Sequence, residues 1–448
     1  MTETIFALAT APGRAAIAVI RLSGPGTEKV LAKLAGSLPP PRQARLRRLR
    51  GADGDAIDEA LAVWMPGPDS YTGEDSAELH LHGGQAVVES VSRALLDAGA
   101  RLAEPGEFTR RAFEHGRLDL AQAEAVADLV DAETDGQRRQ ALAQLEGGLG
   151  RRFEAWRETL LGALSLLEAA IDFPDEELPA DLAARTRPSL ERLAAELDAA
   201  LADAGRGERI REGFRIAIVG APNAGKSSLL NRLLEREAAI VTSLPGTTRD
   251  VIEAPLVLAG FKVLLADMAG LRAAAEPVEV EGVRRARAWA EGGGLRLWVV
   301  DASAGDGAWR EAADLVRPGD VLVLNKVDVG HGDDASAATT HAGSLGLAVL
   351  EVSAVGGTGL DALKSRMTEL TVKALSGHDF PAATRERHRR RLSEAKDHVV
   401  RALEGLQLGA ELAAEDLRLA GRALGRITGR IDPEEVLGRI FASFCVGK

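Results

Sequence analysis

The stretch GAPNAGKSS at residues 220–228 combines residue types and a spacing that bind phosphate. Gly220, Gly225, Lys226 and Ser227 fit the pattern G-x-x-x-x-G-K-[ST]. Glycines let the backbone N–H groups of such a loop close around phosphate oxygens at the start of a helix. Lys226 would reach the β- and γ-phosphates, and Ser227 would ligate Mg²⁺. The apolar segment before the loop predicts a strand and the segment after it a helix, so the stretch predicts a nucleoside triphosphate site.

Two later motifs indicate which base is bound. Asn325, Lys326 and Asp328 directly follow an apolar strand. The Asp328 carboxylate can accept hydrogen bonds from N1–H and the exocyclic amine of guanine, and an unpaired buried carboxylate would disfavour adenine. Ser353 and Ala354 follow the next strand, where the Ala354 N–H could hold guanine O6. These motifs, in this order, predict guanine-nucleotide binding.

Between them lie PGTTRD at 245–250 and DMAG at 267–270, with the residue types of a Mg²⁺ and γ-phosphate switch. Leu271 follows the glycine of DMAG, whereas Ras-like enzymes carry at that position a glutamine that orients the attacking water. Leucine cannot orient water. Hydrolysis must therefore use another group for the water and another cation for the developing charge.

The elements that position these motifs alternate between α/β and helical patterns. Short strands and a helix ending near Gly99 predict an N-terminal α/β module. Residues 119–145 then form a long helical pattern, a second helix is interrupted by the prolines of FPDEELP, and a third is expected to stop at Gly205. From about residue 213, five apolar strands alternate with helices, which is typical of a mostly parallel, doubly wound sheet.

We therefore expect a multidomain fold of the α/β plus α class. Its predicted parts are an α/β domain at 1–117, a first helical part at 118–210, an inserted Ras-like P-loop domain at 211–374 and a second helical part at 375–448. The two helical parts are expected to pack as one bundle around the insertion.

Composition limits the compartment and the partners. With one cysteine in 448 residues no intramolecular disulfide can form, as expected in a reducing compartment. No basic segment precedes the first apolar run and no run of about 18 apolar residues occurs, so we expect a cytoplasmic protein without a membrane span. The net charge of −12 argues against a nucleic-acid-coating protein. The basic runs 42–50 and 384–396 are then either solvated faces or local phosphate contacts.

Four further segments are similar to the signatures of one family. They are SYTGEDSAELHLHGG at 70–84, GEFTRRAFEHGRLDLAQAEAV at 106–126, LLEAAIDFPDEE at 166–177 and the terminal CVGK. Over essentially its whole length the chain thus resembles the MnmE (TrmE) family of bacterial tRNA uridine-5-carboxymethylaminomethyl modification GTPases. This resemblance implies a homodimer with an N-terminal tetrahydrofolate-binding and dimerisation domain, a split helical domain and an inserted G domain.

For the G domain, the resemblance implies a K⁺ ion in the place of an arginine finger. Its ligands would be Asn223, Thr242, Leu244 and Thr247, and Mg²⁺ would be held by Ser227 and Thr248. Glu279 would orient the attacking water, with Glu281 as the alternative, and the implied catalytic residues are Asn223, Lys226, Glu279 and Cys445. The residues expected at the GTP site are Asn223, Ala224, Gly225, Lys226, Ser227, Ser228, Thr242, Ser243, Leu244, Pro245, Gly246, Thr247, Thr248, Asp267, Met268, Ala269, Gly270, Asn325, Lys326, Asp328, Ser353 and Ala354.

For the N-terminal domain, the resemblance implies a 5-formyltetrahydrofolate or 5,10-methylenetetrahydrofolate at the dimer interface. The matching positions are Arg21, Glu78, Arg117 and Lys448. Arg117 replaces the lysine of the family pattern, which would alter the geometry of a folate contact; Met268 replaces a threonine that is not a required ligand. His80 and His82 share a strand face, and two such histidines without a third ligand are usually polar surface residues rather than a metal site.

Cys445 lies at the edge of an apolar stripe in a helix predicted to begin at Asp432. Its neighbours favour a small buried hydrophobic residue. The resemblance makes Cys445 a candidate nucleophile or positioning group near the one-carbon site. Packing, positioning and nucleophilic roles all stay open.

The resemblance also implies a reaction. The chain would be a K⁺-activated GTPase that, with an FAD- and NADH-dependent partner in a heterotetramer, installs the (carboxymethyl)aminomethyl group at C5 of the wobble uridine of tRNAs. No G-x-G-x-x-G follows a strand, so no flavin or dinucleotide site is expected in this chain. The alternatives are an RNA- or ribosome-associated GTPase switch without a role in the chemistry, and a metabolic folate enzyme, which would need no guanine site.

Overall fold

The computed structural model describes residues 3–172, 183–235, 253–268, 287–377, 380–431, 440–441, 444 and 446–447. The chain forms two compact units. The first comprises Met1–Val130, Gln144–Ala195 and Arg391–Lys448, and the second comprises Asp131–Ala143 and Glu196–Arg390. Each unit therefore combines segments that are far apart in the sequence.

A six-stranded sheet organises the N-terminal part of the first unit, in the order β3-β4-β5-β2-β1-β6. Its strands are β1 (Ile5–Leu8), β2 (Ile17–Ser23), β3 (Arg45–Arg50), β4 (Ala56–Met65), β5 (Ser76–His82) and β6 (Arg101–Leu102). Neighbouring strands are antiparallel except for the β1–β6 pair. Alternation in β5 buries Ala77, Leu79 and Leu81 in a core shared with helices α1 (Thr27–Ala35) and α2 (Gln85–Asp97).

The opposite face of this sheet carries the side chains that alternate with the core. Leu46 lies opposite Leu61, and Leu61 lies opposite His80. Leu46 is 61% exposed, Leu61 45% and Ile17 58%. We call this surface, with Glu78 and His80 beside it, the open sheet face. Three large apolar side chains on one open face are unusual for a surface that only meets water.

Helices complete the first unit. They are α3 (Glu107–Glu114), α4 (Leu120–Val130), α6 (Gly148–Asp172), α12 (Ala410–Thr428) and most of α11 (Glu386–Gly405). Helix α12 packs along α6 and against α4. Helices from before and after the inserted segment therefore form one bundle, which confirms the predicted split helical architecture.

Two helical segments differ from their predicted extents. The pattern at 119–145 is two helices, because α4 ends at Val130 and α5 is Asp135–Leu145. Gln137 Oε1 accepts the Thr134 N–H at 3.0 Å while the Gln137 N–H donates to Thr134 Oγ1 at 3.4 Å, a capping box that starts α5. Helix α7 (Arg187–Glu212) passes the expected stop at Gly205, since an interior glycine costs a helix only about 1 kcal/mol.

The second unit is built on a six-stranded sheet in the order β12-β11-β10-β7-β9-β8. Its elements are β7 (Phe214–Val219), α8 (Lys226–Glu235), β8 (Glu253–Leu258), β9 (Phe261–Asp267), β10 (Leu295–Asp301), β11 (Val321–Asn325), α9 (Asp333–Ser344), β12 (Ala348–Val352) and α10 (Leu360–Leu375), with a short 3₁₀ helix at Ala308–Leu315. All pairs are parallel except β8–β9. The predicted mostly parallel, doubly wound sheet is confirmed.

The antiparallel strand β8 was not predicted. It joins β9 through Ala259 and Gly260, whose φ angles of +49° and +80° form a tight two-residue turn. The sequence carries that signal, a small residue and a glycine between two apolar runs, but Pro255 within the run weakens the strand pattern. Within the segments that the structure describes, no helix is long and apolar enough to cross a membrane.

Candidate functional site

The phosphate loop joins the end of β7 to the start of α8, as its sequence predicts. Gly220, Asn223 and Gly225 have φ angles of +148°, +61° and +90°. A Cβ at Gly220 would overlap the Val299 carbonyl of the neighbouring strand, so only glycine fits there. The loop therefore has the left-handed backbone that turns successive N–H groups toward one point.

Lys226 begins α8 and reaches back across this loop. Its Nζ donates to the carbonyl oxygens of Gly220 at 2.9 Å and Ala221 at 2.8 Å. The side chain is buried, at 6% exposure. The ammonium group is therefore held at the mouth of the loop, where it can meet phosphate oxygens.

Ser227 and Asp267 form the adjoining cation-type site. Ser227 Oγ donates to Asp267 Oδ2, and Asp267 Oδ1 is buried without a hydrogen-bond partner among the described residues. A hydroxyl oxygen and a carboxylate with unused lone pairs suit a hard divalent cation, so the residues present fit Mg²⁺. Met268, which replaces threonine, is 2% exposed and packs in the core beneath the site.

Asn325 connects the phosphate loop to the loop that contains Ser353 and Ala354. Its Nδ2 donates to the Ala224 carbonyl at 2.9 Å, and its Oδ1 accepts the Ala354 N–H at 3.1 Å. With 1% exposure and both ends of the amide used, this side chain positions two loops. Ser353 Oγ accepts the Gly356 N–H at 2.8 Å and shapes the same loop.

Lys326 and Asp328 lie on the outer side of this region. Lys326 has a φ of +64°, and its Nζ contacts Asp301 Oδ2 at 2.6 Å. Burial would raise the pKa of the Asp301 carboxyl, but hydrogen bonds from Lys326 and Ser303 lower it below the ordinary value. Asp328 is exposed and available to a base. Asp301 was missed from sequence, although it ends an apolar strand as Asp267 does.

Many of the expected site residues lie outside the part of the chain that the structure describes. They are Thr242, Ser243, Leu244, Pro245, Gly246, Thr247, Thr248, Ala269, Gly270, Leu271, Glu279, Glu281, Asp432, Cys445 and Lys448. Ala224, Gly225 and Ser228 are described, in or directly after the phosphate loop. The described GTP-site residues are thus brought together at the carboxyl ends of β7, β9, β11 and β12.

The second group of expected residues lies on the N-terminal sheet. Arg21 on β2 faces Glu78 on β5, and both Nε and Nη2 donate to Glu78 Oε1, at 3.1 and 2.9 Å. His80 Nε2 lies 3.2 Å from Glu78 Oε2. Burial would raise the pKa of Glu78, but Arg21 and His80 outweigh it and lower the pKa below its usual range. Glu78 is therefore a carboxylate at neutral pH.

Two aromatic rings orient Arg21. Its guanidinium carbon lies 5.5 Å from the centre of the Tyr71 ring and 6.0 Å from that of Phe108. The Tyr71 hydroxyl is hydrogen bonded to Thr109 Oγ1 at 2.8 Å. Stacked and paired, Arg21 has a fixed direction. Tyr71 was not among the site residues expected from the sequence, because no local pattern indicated that its ring would lie beside Arg21.

Arg117 lies against the loop that carries Tyr71 and Gly73. A Cβ at Gly73 would lie 2.9 Å from His115 Cβ and 3.4 Å from Arg117 Cγ. The Arg117 side chain is 44% exposed. Its Nη1 lies 3.9 Å from Asp69 Oδ1, which is a weak ion pair. Its guanidinium is therefore available to an anionic ligand.

The described C-terminal residues pack on the same unit. Phe441 and Phe444 form a tilted ring pair and share a small core with Ala123. Gly447, with a φ of +107°, lies so close to Leu8 that a Cβ would overlap the Leu8 carbonyl. Leu8 pairs with Ile20, the neighbour of Arg21. Gly447 is thereby placed against β1, the strand next to the one that carries Arg21.

The two strand histidines have separate partners. His80 contacts Glu78, and His82 Nδ1 lies 2.7 Å from Asp58 Oδ1. Among the residues that the structure describes, no group of three or more His, Cys, Asp or Glu side chains is arranged to hold a metal ion.

Comparison with known proteins covers the whole chain. The family model described as the MnmE helical domain matches residues 120–445, and that described as the GTP-binding protein TrmE N-terminus matches residues 4–117. A tRNA modification GTPase MnmE of Phenylobacterium zucineum is 61% identical, and that of Caulobacter vibrioides is 58% identical, each over 100% of both chains.

A solved structure of the G domain of the T. maritima FeoB iron transporter covers 35% of this chain and 98% of its own, at 23% identity. Its TM-score of 0.27 is too low to support an inference. The family models and the full-length relatives are sufficient by themselves: this chain belongs to the MnmE (TrmE) family of tRNA modification GTPases.

Proposed function

We propose that this protein is a K⁺-activated GTPase that modifies C5 of the wobble uridine of tRNAs. It acts with an FAD-dependent partner protein and takes a one-carbon unit from a tetrahydrofolate derivative. The observation that carries this proposal is the presence, in one chain, of a nucleotide-type site and of the oriented Arg21–Glu78 pair, on the same sheet against which Gly447 packs. The domain limits at 117, 210 and 374 are part of the proposal.

The nucleotide half rests on the phosphate loop and its cation site. Lys226 would neutralise charge on the β- and γ-phosphates, and Asp328 would select guanine. Ser227, Thr248 and Asp267 would hold Mg²⁺, which would supply charge stabilisation for phosphoryl transfer. Glu279 is the proposed group that orients water, since Leu271 cannot.

Potassium should accelerate GTP hydrolysis if Asn223 is one of its ligands. We expect kcat to be roughly 10²-fold higher or more in KCl than in NaCl of equal ionic strength, because a cation in the position of an arginine finger is worth 10³–10⁵. The Asn223→Gly variant should lose this difference, because glycine keeps the φ of +61° but removes the carboxamide. Phosphate release measured in both salts checks the prediction.

The matched control is Ser336→Gly, on the exposed side of α9 in the same unit. It should retain the full potassium effect. Equal rates of the unaltered protein in the two salts would overturn the Asn223 assignment, whereas a potassium effect that survives in Asn223→Gly would move the ion to other ligands.

The folate half rests on charge and hydrogen-bonding groups around Arg21. A tetrahydrofolate offers ring N–H donors that suit the Glu78 carboxylate, and a carboxylate tail that suits exposed cations. Arg117 is such a cation, and Lys448 follows Gly447, which packs beside β1. Cys445 stays a candidate for a role beyond packing at the same end of the chain.

An Arg21→Ala variant should fail to restore wobble-uridine modification in a strain that lacks the gene. Removal of Arg21 takes away the two hydrogen bonds that Glu78 Oε1 accepts and the cation beside the Tyr71 ring, so the proposed folate site loses its orientation. GTP hydrolysis should be unchanged, since Arg21 and the nucleotide site belong to different units. Mass spectrometry of tRNA nucleosides and a GTPase assay check both expectations.

The control variant is Arg93→Ala, an exposed arginine on α2, which should restore modification fully. Full restoration by Arg21→Ala would contradict the folate role of this pair. If the strain that lacks the gene kept its modified uridine, the RNA- or ribosome-associated switch would become the better account.

Dimerisation through the open sheet face is part of the proposal. Ile17, Leu46 and Leu61 are exposed there, next to the Glu78 and Arg21 pair. A second copy that covered this face would bury apolar surface and would close the proposed folate site from the other side.

A further inference from the structure

Five arginines lie within the nine positions 42–50, four of them on the edge strand β3 and one three positions before it. They are Arg42, Arg45, Arg47, Arg48 and Arg50. The strand lies at the outer edge of the N-terminal sheet, and its alternate residue Leu49 is fully buried, which fixes the register. We call Arg42, Arg45, Arg47 and Arg50 the arginine edge.

The arginine edge is not neutralised within the described structure. Arg48 alone is paired with a carboxylate, Glu59, at 2.5 Å. The other four donate to neutral acceptors: Arg42 to the Asp69 carbonyl at 2.7 Å, Arg45 to Gln43 at 2.9 Å, Arg47 to the Ser37 carbonyl at 3.2 Å and Arg50 to the Gly54 carbonyl at 2.8 Å. In the described residues none of these four has a carboxylate within salt-bridge distance.

The second basic run behaves differently. It begins helix α11, where Arg389 lies 3.5 Å from Glu208 and Arg391 lies 2.6 Å from Glu394. Part of that positive charge is therefore compensated within the fold. The two runs look alike in sequence, but one lies on an edge strand and the other in a helix, and their partners differ.

Charged residues on an edge strand can serve only to prevent pairing with other sheets, and one or two of the five arginines would be enough for that. This role does not explain four uncompensated guanidinium groups on a chain whose net charge is −12. Guanidinium forks bind phosphate with two parallel hydrogen bonds, and Arg45 and Arg47, two residues apart on a strand, are separated by about 7 Å. That spacing is close to the distance between successive phosphates along an RNA strand.

We propose that the arginine edge binds the phosphate backbone of the tRNA substrate. This inference rests on the proposed function, since it gives the tRNA a contact on the N-terminal domain. Backbone contacts of this kind position an RNA without reading its bases. The open sheet face stays free for a second copy, because Arg45 and Arg47 alternate with Leu46 and therefore point to the other side of the strand.

The test is the salt dependence of tRNA binding to the full-length protein. For Arg45→Gln/Arg47→Gln we expect the slope of log Kobs against log [KCl] to become shallower by about 1.4–1.8, since each lost phosphate contact accounts for about 0.7–0.9. Affinity at physiological salt should fall roughly ten-fold. Arg45→Lys/Arg47→Lys should keep the slope, because lysine also neutralises a phosphate.

The matched control is Arg48→Gln, on the same strand but already paired with Glu59, which should leave slope and affinity unchanged. An unchanged slope in the Gln double variant, or an equal change in Arg48→Gln, would overturn the proposal. Binding of tRNA by the unaltered protein without any salt dependence would also overturn the arginine edge as a phosphate contact. If the unaltered protein did not bind tRNA at all, the proposed function itself would fail. GTP hydrolysis and elution volume confirm that each variant is folded.

Discussion

A Gly225→Ala variant is expected to bind GTP about 10³-fold more weakly than the unaltered protein. Gly225 has a φ of +90°, which costs a residue with a side chain about 1–3 kcal/mol. The added Cβ would also overlap Asn325 Nδ2, the group that holds the Ala224 carbonyl. Displacement of Asn325 breaks its bonds to both loops, at about 1–3 kcal/mol for each polar group left unpaired. If the loop in its binding geometry becomes about 4 kcal/mol less favourable, the fraction of molecules able to bind, and with it the apparent affinity, falls by about three orders of magnitude.

Two other glycines of the same unit separate the effect of the positive φ from the effect of the overlap with Asn325. Gly319 has a φ of +97° but open space around it, so Gly319→Ala should reduce stability by about 1 kcal/mol without affecting GTP affinity. Gly343, in α9, has neither restriction, so its alanine variant should keep the GTP affinity and gain about 0.4–1 kcal/mol in stability, because alanine favours the helix. Titration with a fluorescent GTP analogue and thermal unfolding give the two quantities. If Gly225→Ala bound GTP as well as Gly319→Ala does, the bridging role of Asn325 would be wrong.

Glu107→Gln is expected to destabilise the N-terminal domain by about 3–5 kcal/mol at neutral pH, as loss of a buried charge usually does. Glu107 is 1% exposed and accepts hydrogen bonds from Arg101 at 2.9 and 2.7 Å, from Arg111 at 2.8 Å and from the Glu104 N–H at 2.9 Å. A neutral amide keeps one acceptor oxygen, but it removes the negative charge that these cations share and turns the other acceptor into an N–H donor. We expect faster hydrogen exchange of the backbone amides in β1 and α3 of the variant, which mass spectrometry can measure.

The same residue makes stability depend on pH. Burial would raise the pKa of Glu107, but Arg101, the Glu104 N–H and Arg111 lower it from 4.5 to about 2. Because the folded-state pKa is depressed, this stabilisation is complete above about 4.5 and is lost as the pH falls toward 2. In the unaltered protein the loss amounts to about 3 kcal/mol over that interval, since one pKa unit equals 1.36 kcal/mol.

Glu114→Gln provides the comparison on the same helix. Its side chain is 51% exposed and lies 3.6 Å from Arg110, so the variant should change stability by less than about 1 kcal/mol. The Glu114→Gln variant should also still lose stability between about pH 4.5 and 2, whereas Glu107→Gln should no longer show this loss. Equal protection of β1 and α3 in the two variants would contradict the structural role of Glu107.

The sequence predicted elements and motifs well where the information is local. The phosphate loop, the strands β7, β9, β10, β11 and β12 and the alternation of β5 follow from contiguous patterns of glycine and apolar residues. It was less informative where a competing signal was present. Pro255 obscured β8, the arginines obscured β3, and the capping box at Thr134 divided a pattern that looks continuous.

By itself, therefore, the sequence determined the order of domains, the phosphate loop and the guanine preference, because each depends on residues that are neighbours in the chain. Only the tertiary structure decided which side chains act together. Asn325 bonds a carbonyl 101 positions away, and Arg21 bonds a carboxylate 57 positions away. Gly447 packs on Leu8, at the other end of the chain, and the two similar basic runs differ in their secondary structure and in their partners. Such pairings arise from the folding of distant segments onto one core, and no periodicity or motif in a single segment carries them.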